Sequence, residues 1–355
     1  MTTVSILTQR RAPETLIWLT PLLINRRGLR DLGITFRVFY EDTDALYDAD
    51  CVFVENRIYR RWGRERQDEK AVALLEKARA RACRVFWFDT TDGTGTTQLH
   101  LLPYMDRYFK SQLLADRSAY LRSYYGGRIW TDYYHERFGV TDSDESYRPA
   151  PAAESELHKL RVGWSDALGD FGRWGILVRR VRDRFPMPLF YSAKFVDSDD
   201  RPMDVNARFG TRYRRETVAY QRTLVKERLA GLGVATDRVP RSRYLKELGR
   251  SKIAVSPFGW GDPCYRDYEV ILNGAMLLKP DVSHMETWPD LYTAGETYMP
   301  FRWDCSDLEA VLGDALEGGT WRRIARRAQE VYQTYLFSRE GREAFCRHVL
   351  DMVDS

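Results

Sequence analysis

Ser251–Glu309, SKIAVSPFGWGDPCYRDYEVILNGAMLLKPDVSHMETWPDLYTAGETYMPFRWDCSDLE, decides the fold, because it reads as buried strand, glycine loop, short helix and second buried strand. Ile253-Ala-Val-Ser is a continuous apolar run of the parallel-strand type, and Pro257, Gly259 and Gly261 break it into a loop. Tyr265 to Asn273 carries Tyr268, Ile271 and Leu272 at helical spacing, Gly274 stops it, and Ala275-Met-Leu-Leu resumes a buried strand. Arg266 and Glu269 then lie one turn apart near the helix start. A guanidinium beside the orphan N–H groups of a helix start suits a diphosphate, and a carboxylate suits the two hydroxyls of a ribose.

Outward from this segment, the first half alternates apolar runs with helical patterns, as open α/β sheets do. Val4 to Thr8 reads as a first strand, Leu16 to Leu32 as a helix and Thr35 to Tyr40 as a second strand. Ala49 to Glu55 follows as a third strand, Lys70 to Ala82 as an amphipathic helix and Arg84 to Asp89 as a fourth strand. The loop Asp89-Thr-Thr-Asp92-Gly-Thr-Gly-Thr-Thr comes directly after that strand, where parallel sheets bind ligands, and it also reads as an ordinary turn with Thr96 or Thr97 capping a helix. Residues 97–138 are rich in Tyr, Phe and Trp, which packs either a core between helices or a sugar face. Core is the commoner cause.

Residues 141–157, polar with Pro and Ala and without periodicity, mark a linker, so residues 1–150 form the expected first domain and 151–335 the second, with 336–355 as a closing helix. Lys159-Leu-Arg-Val opens the second unit in this reading, and Gly169, Gly172 and Gly175 form a glycine turn ahead of a helical run over 176–184. A phosphate fits such a turn, with Arg173 as a ligand. Arg212 lies in an arginine-rich loop over 197–215, a further phosphate candidate or a solvated charge run.

Composition bounds the class. With 355 residues, 44% hydrophobic and 30% charged, the chain is long enough for two globular domains and too apolar for disorder. A net charge of +4 does not announce a nucleic-acid partner. Cys51, Cys83, Cys264, Cys305 and Cys346 are scattered and odd in number, which reads as reduced thiols in the cytoplasm. No window approaches the length of an apolar membrane span, so any attachment to the inner face of a membrane is expected to be peripheral.

The run Arg266-x-x-Glu269-Val-Ile-Leu-Asn-Gly274 before an apolar strand resembles the donor-site signature of GT-B glycosyltransferases, in the form seen in exostosin-like members. The resemblance implies two Rossmann-like domains facing across a cleft, a nucleotide sugar held by the second and an acceptor by the first. It puts Glu269 on the ribose. The first glutamate of the paired-glutamate pattern in many retaining members falls on Gly261, with Asp262 adjacent, which leaves the stereochemistry open. Donor contacts are then expected from Glu269, Arg266, Gly259, Gly261, Tyr265, Arg173, Arg212, Lys279 and His284. Lys279 and His284 follow the strand after the signature, at its carboxyl edge.

The acceptor proton needs a base in an inverting enzyme, and Asp92 is the candidate, with Asp89 and His100 behind it. No histidine pair has metal spacing and no D-x-D occurs in the setting of a metal site, so catalysis without a metal or other cofactor is expected. The expected function is sugar transfer from a nucleotide sugar to a glycan, lipid-linked or small-molecule acceptor. A nucleotide-sugar epimerase of the same form and a non-catalytic nucleotide or glycan binder are the alternatives.

Overall fold

The computed structural model describes residues 1–10, 12–59, 64–81, 83–143, 148–172 and 190–355. Arg173 and the helical run expected over 176–184 lie outside them. The first unit opens with β1 (Thr2–Leu7), whose inner residues Ile6 and Leu7 are fully buried, and continues into α1 (Pro13–Ile24) with proline at its first position. The single helix expected over Leu16–Leu32 is two. Asn25, in a non-helical conformation, ends α1 and starts α2 (Arg26–Asp31), and its backbone N–H and side-chain amide both donate to Pro21 O, at 3.1 and 2.9 Å.

Next come β2 (Ile34–Phe39), β3 (Cys51–Glu55), α3 (Arg64–Ala80), β4 (Arg84–Asp89), β5 (Arg107–Lys110), β6 (Gln112–Leu114), α4 (Ile129–Phe138) and β7 (Leu160–Val162). Six strands form one parallel sheet in the order β2-β1-β3-β4-β5-β7. Leu160-Arg-Val, expected to open the second unit, therefore closes the first sheet, since Leu160 and Val162 pair with Tyr108 and Lys110 of β5. The strand connections diverge between β1 and β3, which makes the carboxyl ends of those strands the switch-point crevice of this sheet. The aromatic run over 97–138 is largely core: Tyr108, Phe109, Trp130 and Tyr134 are buried, and Phe109 stacks on Phe88 at 5.0 Å.

The second unit holds β8 (Met203–Asn206), α5 (Glu216–Gly231), α6 (Arg241–Leu248), β9 (Ser251–Val255), α7 (Tyr265–Leu272), β10 (Met276–Pro280), β11 (Met285–Thr287) and β12 (Met299–Phe301). Its parallel sheet runs β12-β10-β9-β8, so the chain is an α/β protein of two Rossmann-like sheets. Gly274 stops α7 with φ +69, and a Cβ there would meet Val196 O at 2.5 Å.

Three features lock the units together. β6 and β11, one from each unit, pair antiparallel through Leu113 and Glu286. The helices α8 (Leu308–Leu316), α9 (Thr320–Phe337) and α10 (Arg339–Asp354) end the chain, and Phe345 of α10 packs edge-on against Trp164 at 5.6 Å while His348 Nε2 meets Gly163 O at 2.8 Å. One continuous core runs from Ile6 and Trp18 to Tyr268 and Tyr332. Phe337, at the end of α9, is 42% exposed and still packs edge-on against Phe195 at 6.0 Å and Tyr191 at 6.4 Å. Among the described residues no helix is long and apolar enough to cross a membrane.

Candidate functional site in the crevice between the sheets

At the switch point of the first sheet a layer of buried polar side chains forms the crevice floor. Glu55, at the end of β3, is fully buried and accepts hydroxyl bonds from Thr8 (2.9 Å), Thr15 (2.9 Å) and Thr90 (2.6 Å). Burial raises its carboxyl above the ordinary range, and the three hydroxyls and Arg57 oppose that rise. Arg57 leaves this floor with its Nε bonded to Thr90 Oγ1 at 3.0 Å and lies 3.8 Å from Glu14 at the start of α1.

One strand over, Asp89 is wholly occupied. It accepts from Tyr108 Oη, Asn56 Nδ2 (3.0 Å) and Thr91 N (2.8 Å), and pairs with the fully buried Lys110 at 3.2 Å. Burial pushes the Lys110 ammonium down, against the pull of Asp89. Asp89 thus shapes the loop that follows it.

That loop, residues 90–98, turns at Gly93 with φ +78 and meets the 256–264 loop of the second unit. A Cβ on Gly261 would lie 2.5 Å from Gly93 N, so these glycines serve the approach of one loop to the other. Asp262 fastens the contact. It is fully buried and accepts from Thr94 N at 2.7 Å and from His284 Nε2 at 2.8 Å, so His284 carries its proton on that nitrogen. Burial alone would raise the Asp262 carboxyl, but the His284 hydrogen bond and charge, the Thr94 amide and Arg128 bring it down to about 2. His284 is delivered there by the β6–β11 ribbon, whose neighbour Ala115 N donates to His284 O at 2.8 Å.

Beside this seam lies a pocket of about 500 Å³ whose lining includes Arg57, Asp92, His100, Arg128, Arg148 and Trp260. Asp92 is exposed in its wall. His100 pairs with Asp68 at 3.1 Å on the rim. The turn after β7 adds Asp166, partly buried, which the sequence reading did not single out. Burial first, and then the charge of Asp92, raise its carboxyl to about 7 against the pull of Arg57 and Lys110. A lone Asp in Trp164-Ser-Asp-Ala carries no motif, so only its place at a strand end pointed to it.

Across the crevice stands the first turn of α7. Tyr265 is 40% exposed there, and burial with the charges of Asp166 and Asp92 raises its phenol. Ser165 Oγ and Tyr268 Oη, 3.1 Å apart, tie the β7 turn to this helix. Arg266 lies over the rings of Phe209 (5.6 Å) and Tyr244 (5.8 Å), and its Nη1 is buried without a hydrogen-bond partner among the described residues. Tyr244 Oη is in the same condition, and Glu269 is close enough to influence it. Glu269 itself pairs at 2.6 Å with Arg241, whose side chain is 59% exposed. Buried Arg222 donates to Gly210 O at 2.6 Å; burial, with the Arg266 charge added, pushes it down to about 10 against Tyr213.

Arg266, Glu269 and Tyr265 of the expected donor set therefore share one helix end, with Gly259 and Gly261 in the adjoining loop. Lys279 does not share their surface. It is fully buried beneath α7, 3.4 Å from Asp267 and 5.1 Å from the centre of the Phe258 ring. Arg212 is exposed, His284 sits in the seam with Asp262, and Arg173 is outside the described residues. Among the described residues no three His, Cys, Asp or Glu side chains converge as metal ligands.

No family model and no curated protein sequence matches this chain. Solved structures with a similar layout include Anabaena HepE in complex with UDP and glucose, at 10% identity over all of both chains and a TM-score of 0.43. A sucrose-phosphate synthase from Thermosynechococcus elongatus matches at 10% identity over 100% of this chain and 99% of its own, with a TM-score of 0.44. A UDP-N-acetylglucosamine 2-epimerase from Listeria monocytogenes, so described provisionally, matches at 12% identity over 100% and 96%, with a TM-score of 0.39. At such scores the reading of the site rests on this chain's own side chains.

Proposed function

We propose that the chain is a glycosyltransferase that moves a sugar from a nucleotide sugar to an acceptor hydroxyl. The observation that carries this reading is a pair of buried atoms without a hydrogen-bond partner among the described residues, Arg266 Nη1 of α7 and Tyr244 Oη of α6, with the Glu269 carboxylate near Tyr244. A buried polar atom without a partner calls for an explanation, and two of them beside a carboxylate at a helix start are met by a polar ligand. Arg266, next to the N-terminal N–H groups of α7 and to the second guanidinium of Arg222, suits a diphosphate. Glu269 suits the ribose, since its exposed partner Arg241 contributes little and is readily exchanged.

On the opposite wall, Asp92 and Asp166 supply carboxylates where an acceptor hydroxyl would lose its proton. The pocket of about 500 Å³ that Asp92 helps to line offers a place for a second substrate. That favours transfer over epimerisation, which needs no acceptor groove. In transfer the guanidiniums and helix end meet the charge that develops on the leaving diphosphate.

The test is calorimetric titration of the wild type and Arg266→Lys with UDP, GDP and ADP. One diphosphate is expected to bind the wild type at micromolar to low millimolar Kd, and the lysine variant more weakly, because a point charge does not replace the planar fork. No binding of any of the three, or equal binding by both proteins, would overturn the assignment.

A further inference from the structure

Asp166 stands out among the charged groups of the crevice because its backbone is held from both sides while its carboxylate has no hydrogen-bond partner among the described residues. Ser165 N donates to Trp288 O at 2.6 Å, Ser165 Oγ meets Tyr268 Oη at 3.1 Å, and Tyr332 Oη donates to Ala167 O at 2.6 Å. The turn is thereby clamped against α7 and α9. Asp89 offers a contrast, since its oxygens accept from Asn56 after β3, Tyr108 of β5 and Thr91 of its own loop. The groups that face Asp166 are Glu14 from α1, Arg57 after β3, Asp92 after β4, Lys110 at the end of β5, and Tyr265 and Tyr268 from α7. Arg57, Asp92 and Lys110 sit at or just past strand ends, and Glu14 in the first turn of α1.

We infer that Asp166 is the proton acceptor of the transfer and that Asp92, the residue favoured by sequence, acts through it by holding its basicity. This deepens, and rests on, the transferase reading. In the step, the acceptor oxygen forms a bond to the anomeric carbon as the bond from that carbon to the donor phosphate breaks. The electron pair leaves with the nucleoside diphosphate, and the acceptor proton passes to the Asp166 carboxylate. A carboxyl titrating at about 7 is suited to this exchange near neutral pH. Burial first, and then the neighbouring charge of Asp92, keep it there, so removing that charge lowers the value in part.

The probe is slow hydrolysis of the nucleotide sugar whose diphosphate binds, with water as acceptor, followed from about pH 5 to about pH 9. Wild-type rate should rise with pH to a plateau, with its midpoint near 7. Asp166→Asn should lose about 10²- to 10⁴-fold in rate while Kd for the diphosphate stays within about twofold. Asp92→Asn should keep a rising profile but move its midpoint to lower pH. Thermal unfolding of both variants checks that they fold, and Asp166→Glu, which keeps the carboxylate, should recover part of the rate. A wild-type rate that is flat in pH or undetectable overturns the inference while diphosphate binding preserves the donor site, and so does an unshifted midpoint in Asp92→Asn. Loss of diphosphate binding by wild type overturns the transferase reading itself.

Discussion

Asp262→Asn isolates the seam between the two units. The substitution keeps the shape of the side chain and an oxygen to accept from Thr94 N, but removes the charge that faces His284 and Arg128. From the ordinary 3.8 down to about 2, the fold favours the ionised carboxylate over its neutral form by about 2 kcal/mol. Because asparagine imitates the neutral form, about 2 kcal/mol of stability should be missing at neutral pH. The folded-state value is depressed, so this contribution is fully present well above 3.8 and is lost as pH falls towards 2. About half of it should be gone by about pH 3. Urea and thermal unfolding of wild type and variant at neutral pH and again near that acid value measure the difference. Equal midpoints at neutral pH, or a gap that does not narrow in acid, would show that the charge of Asp262 does not hold the loops together.

Gly261→Ala should cost about 1–3 kcal/mol in thermal unfolding, because the new Cβ would fall 2.5 Å from Gly93 N and backbone cannot step aside as a long side chain does. Glu269→Ala should raise Kd for the bound nucleoside diphosphate about tenfold without changing the unfolding free energy by more than about 1 kcal/mol; an unchanged Kd would remove Glu269 from the site. Lys110→Met leaves Asp89 buried without its cation and should destabilise by about 3–5 kcal/mol, while the double variant with Asp89→Asn should be milder than Lys110→Met alone; strict additivity in unfolding measurements would contradict the pairing.

The parts of this molecule that could be read in advance are those whose cause is local. Ile253-Ala-Val and Met276-Leu-Leu are apolar on both faces, so they are buried parallel strands wherever they pair, and Gly274 stops α7 because its φ of +69 suits glycine. The neighbourhood of Arg266 and Glu269 was legible for the same reason, since helical spacing alone puts them one turn apart. What escaped depends on partners far along the chain. Leu160-Arg-Val is three residues long, and nothing in those three says that β5, some fifty positions earlier, is its neighbour. The Leu16–Leu32 segment keeps helical composition across Asn25, whose non-helical backbone divides it in two.

The acids of the crevice differ in the same sense. Asp92 was visible because it lies in a glycine and threonine loop after a strand. Asp166 and Asp262 were not, because their chemistry comes from groups contributed by other elements: Asp92, Arg57 and Lys110 for one, Thr94 and His284 for the other. Burial acts on both and pushes both carboxyls up. Only Asp262 has hydrogen bonds that outweigh it, so one carboxyl ends at about 2 and the other at about 7. A carboxylate held ionised this firmly suits a structural clasp, and one left near neutrality with open lone pairs suits proton exchange. The fold therefore divides its crevice acids by what they accept: Asp262 takes protein N–H groups, and Asp166 takes none among the described residues.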